Sequence, residues 1–399
     1  MIASPMPSAP EDPDRPLRVL RVLTRPNLGG PTRQAIALWH AHAAQRIETL
    51  LVTGAVGPEE VVLSPAAHGV PQVEAAALAP GWLQLPTLRR GVDPLADLRA
   101  RRQLRSLVTR WRPDVVHTHT SKAGALGRRA ALAAGAAVLA HTFHGHVLDD
   151  YFGALPSMLL RRLERRLARR TDLLFSVSGS CADELAAHGV APRARFCVVP
   201  PAVPAVPWFS REHARAQLGL PSEAWVVAAI GRLVPIKRLD DFVDAVAMES
   251  GLRGDVLGDG PLRAALAAGA VRSGAGERLR LRGAEPDAAS LLPAYDALVL
   301  PSVREGFPLV AVEAFAAGVP VVGYDVPGVR DALGDLGRGL LVPVADGPAG
   351  LLAALRRLQD EPTLRASLVE ASAAAPERCR PDAVAAALAS AYRRARAGG

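Results

Sequence analysis

Short apolar runs recur along the chain, and ten or more residues with the periodicity of a helix separate most of them from the next. Strands that alternate with helices of this length form parallel βαβ units. The runs predict strands at residues 17–24, 49–53, 114–119, 137–143, 172–178, 196–199, 225–231, 254–260, 278–283, 296–302, 319–323 and 339–344. The pattern therefore predicts an α/β protein in which two doubly wound domains of similar size follow one another.

Breaks in this pattern set the domain boundaries. Residues 1–16 are proline-rich and acidic and lack the basic n-region and apolar core of a signal peptide, so we expect a disordered tail. The prolines of PPAVPAVPWF break any regular element and place a linker region at residues 200–224. The first domain then covers residues 17–199 and the second covers residues 225–378. Residues 379–399 predict an amphipathic helix that could pack back on the first domain.

Composition and charge narrow the class of partner. The 399 residues include 49% hydrophobic and 22% charged residues, which is typical of a globular chain, and no apolar run approaches the roughly 20 residues of a membrane span. We therefore expect a cytoplasmic protein. A net charge of +8 favours anionic partners, but only 4% of residues are aromatic and no nucleic-acid-binding motif is present. Phosphorylated substrates or an acidic lipid surface fit this charge better than nucleic acid.

The loop after the first strand of the second domain predicts a phosphate site. In GRLVPIKRLDDF, residues 231–242, a glycine follows the strand, and Arg232 and Lys237 precede a helix that begins near Leu239. Cations beside a helix N-terminus suit a phosphate, and no Walker lysine motif occurs in the chain. The alternative is that both side chains are ordinary surface cations. The next loop, LGDGPL, is a tight turn that acquires a role only through its neighbours.

Two glutamates in EGFPLVAVEAFAAG, residues 305–318, predict a site for a polyol. Pro308 suits the start of a helix and Gly318 its end, so Glu313 lies inside an otherwise apolar, buried helix. A buried carboxylate needs a partner, either a protein group or a ligand. Carboxylates accept hydrogen bonds from hydroxyl groups, and Glu305 lies beside the free N–H groups of the helix start. The alternatives are an exposed loop acid for Glu305 and a structural hydrogen bond for Glu313.

Histidines mark the corresponding edge of the first domain. The segment HTFHGHV places His141, His144 and His146 at a strand end. His141 and His144 are three residues apart, so on an extended segment they point to opposite faces, and no acidic residues with ligand spacing accompany the histidines, so we expect no metal site. The only Asp-x-Asp, Asp12 with Asp14, lies in the tail. His144 alone is the better candidate for a catalytic or substrate-contacting group.

Two further segments leave alternatives open. In HTHTSKAG the side chains of Thr120, Ser121 and Lys122 either point into the cleft or cap the helix that follows. In LLRRLERRLARR, residues 159–170, leucines lie on one helix face and arginines on the other. That pattern is typical of a membrane-surface helix, and equally of a core helix with a solvated basic back, which we favour.

Taken together, these loops resemble the retaining glycosyltransferases of family 4, which have the GT-B fold of two Rossmann-like domains facing each other across a cleft. The resemblance runs from about residue 17 to about residue 375 and rests on an ordered set of motifs: NLGGP, HTFHGH, GRLVPIK, GDGPLR, the E-x7-E pair and AAGVPVVG. The loops are most similar to those of relatives that build surface polysaccharide.

The resemblance implies a role for each matching residue. Arg232 and Lys237 correspond to the cations that neutralise the nucleotide diphosphate, and Glu313 to the glutamate that binds the ribose hydroxyls. His144 corresponds to a histidine near the transferring carbon. The glycine loop that faces the diphosphate and the loop that grips the donor sugar correspond respectively to Gly29 with Gly30, and to Glu305 with the backbone of Gly306, Phe307 and Leu309. We assign catalysis to His144, Glu305, Arg232 and Lys237.

The resemblance implies transfer of a hexose-type sugar from a UDP- or GDP-sugar to an acceptor hydroxyl, with retention of configuration and without metal or other cofactor. The acceptor would be a cell-envelope or exopolysaccharide precursor, small or lipid-linked, or a secondary metabolite. The chain departs from the family pattern at Pro308, where glycine is common, at Arg330 and Asp331, where Pro-Glu is usual, and after Val199, where Asn-Gly is missing. Two alternatives remain open: a nucleotide-sugar epimerase of similar architecture, and a non-catalytic module that binds nucleotide sugars.

Overall fold

A computed structural model of the protein describes residues 15–57, 60–145, 148, 153–334 and 338–398. The predicted tail lies outside these residues except for its last two, of which Arg15 binds the carboxylate of Asp114 at 2.8 Å. Among the described helices, none is both long enough and apolar enough to cross a bilayer.

The described part of the chain forms two parallel sheets. Thirteen strands lie at β1 Leu17–Leu23, β2 Ile47–Thr53, β3 Gly81–Gln84, β4 Val115–His119, β5 Val138–Phe143, β6 Leu173–Ser176, β7 Phe196–Val198, β8 Val226–Ile230, β9 Arg253–Leu257, β10 Leu279–Gly283, β11 Ala297–Leu300, β12 Val321–Tyr324 and β13 Gly339–Val342. The first sheet has the order β3-β2-β1-β4-β5-β6-β7, and the second has the order β10-β9-β8-β11-β12-β13. Both orders reverse direction at the central strand, which is the signature of a doubly wound fold.

Helices fill both faces of these sheets. Those of the described residues are α1 Gly30–Ala44, α2 Pro94–Trp111, α3 Ser121–Ala134, α4 Ala154–Ala168, α5 Gly179–Ala187, α6 Arg211–Leu218, α7 Leu239–Ala247, α8 Arg263–Arg272, α9 Leu309–Ala316, α10 Pro327–Leu333, α11 Gly347–Asp360, α12 Pro362–Ser372 and α13 Pro381–Ala397. Helices on both faces keep the sheets out of water, so the central strands β4 and β8 are buried along nearly their whole length. The predicted fold class is confirmed.

The twelve predicted strands are all present, and one further strand was missed. β3 is only four residues long and adds to the edge of the first sheet, where Gly81 lies opposite Leu50 of β2. Prolines stand on both sides of it at Pro80 and Pro86. Prolines at both ends favour a loop, so nothing in the sequence of this segment indicates a strand. It is a strand only because it pairs with β2.

One of the two elements near the predicted boundaries, α6, falls in a different place, and the C-terminal helix lies where it was expected. Residues 200–210 contain no helix or strand, but α6 lies within the range assigned to the linker and buries Ala214 and Leu218 in the core of the second domain. The second domain therefore begins before residue 225. The C-terminal helix α13 returns to the first domain, where Leu388 and Tyr392 share a core with strands of that sheet.

Candidate active site

Loops from the carboxyl ends of the two sheets meet across the cleft. A Cβ on Gly30, at the start of α1, would lie 2.7 Å from Leu309, and a Cβ on Gly306 would lie 2.3 Å from the backbone oxygen of His144. Only glycine permits such an approach. Four of the predicted site residues from opposite domains are thus in contact. Gly29 lies beside them, but a Cβ there would meet only Asn27 of its own loop, at 3.5 Å.

Two glycine loops of the second domain support each other backbone to backbone. A Cβ on Gly258 would lie 1.9 Å from the backbone oxygen of Gly231, and a Cβ on Gly260 would lie 2.6 Å from that of Leu233. The N–H of Leu233 also donates to the Asp259 carbonyl at 3.0 Å. The GDGPL turn after β9 therefore holds the GRL loop after β8 in place. Its role is structural, and the loop it fixes carries Arg232.

Cations from both domains gather near this loop. The guanidinium of Arg232 is exposed and has no ion-pair partner among the described residues. Across the cleft, Arg25 follows β1 and pairs with Glu60 at 2.7 Å. Burial lowers the pKa of Arg25, Glu60 raises it, and the nearby charges of Arg90 and Arg232 lower it. Repulsion between cations of opposite domains marks a place where a bound anion would be stabilised.

The predicted catalytic cation and carboxylate of the second domain bind each other. Lys237, at the end of a short turn before α7, donates from Nζ to Oε1 of Glu305. The backbone at Glu305 and Gly306 is held from two sides, since a Cβ on Gly328 would lie 2.1 Å from the Glu305 carbonyl oxygen. The side chain of Phe307 packs on the domain core, 5.7 Å below the guanidinium of Arg378. The backbone of this loop is left for a ligand.

The buried glutamate of α9 has a protein partner. Arg33, on α1 of the first domain, places Nη1 2.7 Å from Oε1 of Glu313, whose side chain is 3% exposed. Burial raises the pKa of the Glu313 carboxyl, and the charge of Arg33 lowers it. The ion pair supplies a protein partner for the charge of Glu313, but its Oε1 makes no hydrogen bond among the described residues, so the ligand that the sequence also left open stays a prediction. Because Arg33 is itself partly exposed, this ion pair lies at the cleft and joins the two domains.

His144 belongs to a buried network in the first domain. Its Nε2 lies 2.9 Å from Nδ1 of His119 on β4, and Nε2 of His119 lies 3.1 Å from Nη1 of Arg21 on β1. Burial, and to a lesser degree the charge of Arg21, lowers the pKa of His144 to about 4. The imidazole is therefore neutral near pH 7. A general acid with this pKa would be almost entirely deprotonated, which leaves hydrogen bonding as its available chemistry.

The neighbouring histidines do not assemble around a metal. Nδ1 of His141 lies 2.8 Å from the Thr118 hydroxyl, so His141 and His144 have different partners. His146 lies outside the described residues. Within the part of the chain that the structure describes, no three residues of the His, Cys, Asp and Glu types are grouped as metal ligands. Metal independence stays a prediction.

The HTHTSKAG segment differs from both interpretations. The N–H of Ala123 donates to Oγ1 of Thr24 at 3.1 Å, so a side chain at the end of β1 caps α3, and Thr120 hydrogen-bonds to Thr24 at 2.7 Å. Lys122 turns to Asp97 on α2 at 2.6 Å. Of the two alternatives, the one that placed Lys122 in the cleft is not supported, because Lys122 pairs with a carboxylate on the adjacent helix. The cap is present, but a remote residue provides it.

The departures from the family pattern have structural consequences. Pro308 precedes the first residue of α9 and has extended backbone angles, so its missing N–H does not interrupt the helix. Asp331, in α10, accepts hydrogen bonds from the N–H and hydroxyl of Ser180 at 2.8 and 3.0 Å. Arg330 pairs with Asp325 in its own domain. At this position the chain therefore uses a carboxylate to join the two domains.

Sequence reasoning missed the side chains whose role depends on the opposite domain or on a distant strand. They are Arg21, Arg25, Arg33 and His119. A partial signal was available for Arg21, since an arginine inside an otherwise apolar strand run needs a partner. The others stand in polar segments where a charged or polar residue is unexceptional.

Family models match both halves of the chain. The model described as glycosyl transferases group 1 matches residues 210–374, and the model described as glycosyl transferase 4-like domain matches residues 29–202. Together they cover most of both domains and leave β1 and α13 outside.

Proteins with assigned names align with much of the chain. A 2-deoxystreptamine N-acetyl-D-glucosaminyltransferase from Streptomyces fradiae is 33% identical over 59% of this chain and 60% of its own length. A D-inositol 3-phosphate glycosyltransferase from Streptomyces scabiei is 33% identical over 70% and 67%. A UDP-Gal:alpha-D-GlcNAc-diphosphoundecaprenol alpha-1,3-galactosyltransferase from Escherichia coli is 29% identical over 69% and 74%. The chain thus spans 60% to 74% of the length of these relatives.

Solved structures share the whole architecture. A sucrose-phosphate synthase from Thermosynechococcus elongatus superimposes with a TM-score of 0.79 at 19% identity, covering 96% of this chain and 100% of that one. Anabaena HepE in complex with UDP and glucose has a TM-score of 0.75 at 18% identity, covering 94% and 98%. At these identities the likeness speaks for the fold. With the family models, the relatives and the fold in agreement, the chain belongs to the GT-B glycosyltransferases of the family 4 type.

Proposed function

We propose that the protein is a hexosyltransferase that moves a sugar from a nucleoside-diphosphate sugar to an acceptor hydroxyl, with retention of configuration and without a metal ion. The observation that carries the proposal is the gathering of cations from both domains at one cleft. Arg25 and Arg232 repel each other there, and Lys237 lies on the same loop as Arg232, beside Glu305. A diphosphate provides the negative charge that this arrangement lacks.

The donor fits the remaining groups of the cleft. In the proposed complex the diphosphate binds to Arg232 and Lys237, and the backbone N–H groups at the start of α9 add to the positive potential. Glu305 is released from Lys237 to accept hydrogen bonds from the sugar, and Glu313 accepts them from the ribose. Because HepE was crystallised with UDP, UDP-sugars are the first donors to test, with GDP-sugars beside them.

The proposed transfer breaks the bond between C1 of the sugar and the diphosphate oxygen, which keeps the electron pair. The acceptor oxygen forms the new bond to C1 on the same face, and its proton passes to the departing diphosphate. C1 gains positive character and the diphosphate gains negative charge as the bond lengthens. Fixed cations aimed at that oxygen stabilise the charge without reorganising at the moment of reaction, which is the work that a metal ion does in other enzymes.

The acceptor is proposed as a small or lipid-linked precursor of a cell-envelope glycan or exopolysaccharide. The galactosyltransferase relative, whose name specifies a diphosphoundecaprenol acceptor, supports the lipid-linked class. The relatives named for 2-deoxystreptamine and inositol 3-phosphate support a small polyol acceptor. Both classes present a hydroxyl as the nucleophile.

For a lipid-linked acceptor we propose contact with the cytoplasmic face of a membrane. The first half of α4 exposes Leu155 and Leu159, at 63% and 55%, beside arginines that suit anionic lipid. Its second half packs in the core, where Glu164 pairs with Arg128 at 2.5 Å. Flotation with anionic and neutral vesicles tests the contact. We expect the protein to float with anionic vesicles and Leu155→Ser/Leu159→Ser to remain at the bottom. If the unchanged protein does not float, the membrane proposal fails.

A donor screen tests the proposed function itself. Thermal shifts with UDP, GDP and uridine separate diphosphate recognition from nucleoside binding, and we expect a shift with one diphosphate and none with uridine. UDP- and GDP-sugars are then incubated with each acceptor class in the presence of EDTA. Release of nucleotide that requires an acceptor supports a metal-independent transferase. An altered sugar without release would indicate an epimerase, and binding alone would indicate a sensor. If neither UDP nor GDP shifts the melting temperature, the proposed site is overturned.

A further inference from the structure

A fully buried arginine lies behind the candidate active site. The Arg21 side chain is 0% exposed, in the middle of the first sheet, and no carboxylate among the described residues pairs with it. Its two terminal nitrogens face histidines instead, Nη1 toward His119 at 3.1 Å and Nη2 toward His42 at 3.4 Å. The hydroxyl of Tyr392, on α13, lies nearby and is 2.5 Å from Nδ1 of His117, and Nε of Arg21 has no hydrogen-bond partner among the described residues. A buried cation without a carboxylate costs stability, so its retention calls for a reason.

The chemistry of the guanidinium fixes the direction of the hydrogen bonds. Arginine has only donors and keeps its charge, so Nε2 of His119 must accept from it. A neutral His119 then carries its proton on Nδ1 and donates to Nε2 of His144, 2.9 Å away. By the same reasoning a neutral His144 carries its own proton on Nδ1. The sequence of bonds from Arg21 therefore selects one tautomer at each ring.

A second branch leaves Arg21 in the other direction. Nε2 of His42 accepts from Nη2, so His42 carries its proton on Nδ1 and donates to Oγ1 of Thr49 at 2.8 Å. This branch ends in the core between α1 and β2, away from the cleft. It consists of the same kinds of group as the first branch, and the two branches share only Arg21.

We propose that Arg21 is a positioning residue for sugar transfer: through His119 it holds His144 as a neutral imidazole that presents an Nδ1–H donor to an oxygen of the bound substrate. This inference rests on the proposed function, because it assumes that the ring of His144 faces the donor sugar. Nδ1 of His144 has no hydrogen-bond partner among the described residues, so the donor is available.

None of the charged and titratable groups around His144 favours its charged form. The first domain contributes the cation Arg21, the phenol Tyr392, and four buried histidines whose pKa values burial lowers well below the ordinary one: His42, His117, His119 and His141. The thiol of Cys181, also buried, hydrogen-bonds to the backbone of Gly145. From the second domain the Glu305 loop packs on the His144 backbone, and the Glu305 carboxylate is neutralised by Lys237. None of these groups supplies an unpaired negative charge that would favour an imidazolium.

A neutral donor suits the reaction better than a cation at this place. The transferring carbon becomes positive as the diphosphate leaves, and an imidazolium beside it would oppose that change. A neutral N–H can still orient a hydroxyl of the sugar, or the acceptor oxygen, without adding charge. The rings of His119 and His144 separate the buried cation Arg21 from the proposed substrate. From there Arg21 lowers the pKa of His144 and fixes which of its nitrogens carries the proton.

The test uses Arg21→Met, which keeps a long unbranched apolar side chain but removes the charge and the donors. In the unchanged protein, ¹⁵N spectra of the imidazoles should show His144 protonated at Nδ1 and neutral down to about pH 5, in line with its pKa of about 4. In Arg21→Met we expect mixed tautomers and protonation of His144 at higher pH. Partners that fix a histidine tautomer in metal sites are worth about 10- to 100-fold in activity, so kcat should fall by a similar factor, most strongly below pH 6, while KM for the donor changes less than about twofold.

Thr49→Val is the matched control, since it breaks the other branch of the same network and leaves the His144 branch intact. It should leave both the His144 spectrum and kcat unchanged. His119→Phe, which keeps a ring but removes both polar atoms, should reproduce the spectral change of Arg21→Met, which guards against a folding defect of the latter. An unaltered His144 tautomer in both Arg21→Met and His119→Phe would overturn the relay, and an altered tautomer with unaltered kcat would overturn the positioning role. Because the spectra need no substrate, they report on the relay even if no sugar donor is turned over.

Discussion

The two sides of the cleft are built on opposite principles. The second domain presents exposed cations on loops whose shape is fixed by close approach of glycine backbones, as between Gly258 and Gly231. The first domain presents one partly buried ring, His144, backed by histidines and an arginine inside the sheet. The cations of the second domain can bind the negative charge of a ligand. The first domain buries the charge of Arg21, which fixes the positions of the protons on His119 and His144.

This difference predicts which perturbation each side tolerates. Exposed cations contribute little to folding, so the second-domain loop should lose function without losing stability when a cation is removed. The histidine network is part of a core, so a condition that charges it should lower the stability of the first domain as well as alter the chemistry.

Acid should unfold the protein well above the pH at which carboxylates titrate. Burial lowers the pKa of His42, His117, His119, His141 and His144 in the folded state, so below about pH 6.5 the unfolded chain binds protons that the native protein does not. Stability is therefore fully present above that pH and is lost as the pH falls. Each such histidine costs about 1.4 kcal/mol per pH unit, which amounts to several kcal/mol between pH 7 and pH 5. Urea unfolding at a series of pH values measures the slope.

His42→Gln should reduce the slope of unfolding free energy against pH by the equivalent of about one proton taken up on unfolding. The variant removes one buried imidazole from the branch that does not reach His144. His213→Gln is the control, since His213 is an exposed residue of α6 in the second domain. If both variants keep the slope of the unchanged protein, the first domain does not owe its acid sensitivity to the buried network.

Removing a cation from the second-domain loop should cost about 10²- to 10³-fold in kcat/KM, the usual loss when one preorganised group that stabilises developing charge is deleted. Arg232→Ala and Lys237→Ala are the variants, and steady-state kinetics with the donor found in the screen is the measurement. Arg356→Ala is the control: it removes an exposed arginine that pairs with Glu249, away from the cleft. Unchanged kcat/KM in both loop variants would mean that the diphosphate binds elsewhere.

The same contrast explains what the sequence could predict about the fold. Central strands such as β8 are apolar throughout and stand beside glycine loops, so their position and order were evident from spacing alone. β3 was missed because a four-residue edge strand between prolines is defined by its partner, not by its own residues. The helix α6 was assigned to the linker because it follows the proline run directly, and its two buried side chains become visible only when it meets the second sheet.

The candidate site divides in the same way. Lys237 and Glu305 could be named from the sequence because each lies in a local motif with a recognisable loop and helix start. Arg33 and Arg21 could not, because their partners lie 280 and 98 residues away in sequence and in other elements. The partner of Glu313 illustrates the limit: burial of the carboxylate was predictable, but the identity of the group that meets it depends on how two domains close.

The Arg33–Glu313 pair joins the two sides, and breaking it should have the smallest effect. Without Arg33 the pKa of the buried Glu313 rises further, so less of the carboxylate is ionised near neutral pH and its hydrogen bonds to a ribose weaken. We expect Arg33→Ala to raise the donor Kd by roughly 3- to 10-fold, equal to about 1 kcal/mol. The loss should grow as the pH falls, because a raised pKa leaves less of the Glu313 carboxylate ionised at lower pH. Arg33→Lys, which keeps the charge, should bind nearly as well as the unchanged protein. Isothermal titration with the diphosphate measures all three. Tighter binding by Arg33→Ala at every pH would instead make Arg33 a competitor of the nucleotide for Glu313, and the first domain would then close the cleft against its own ligand.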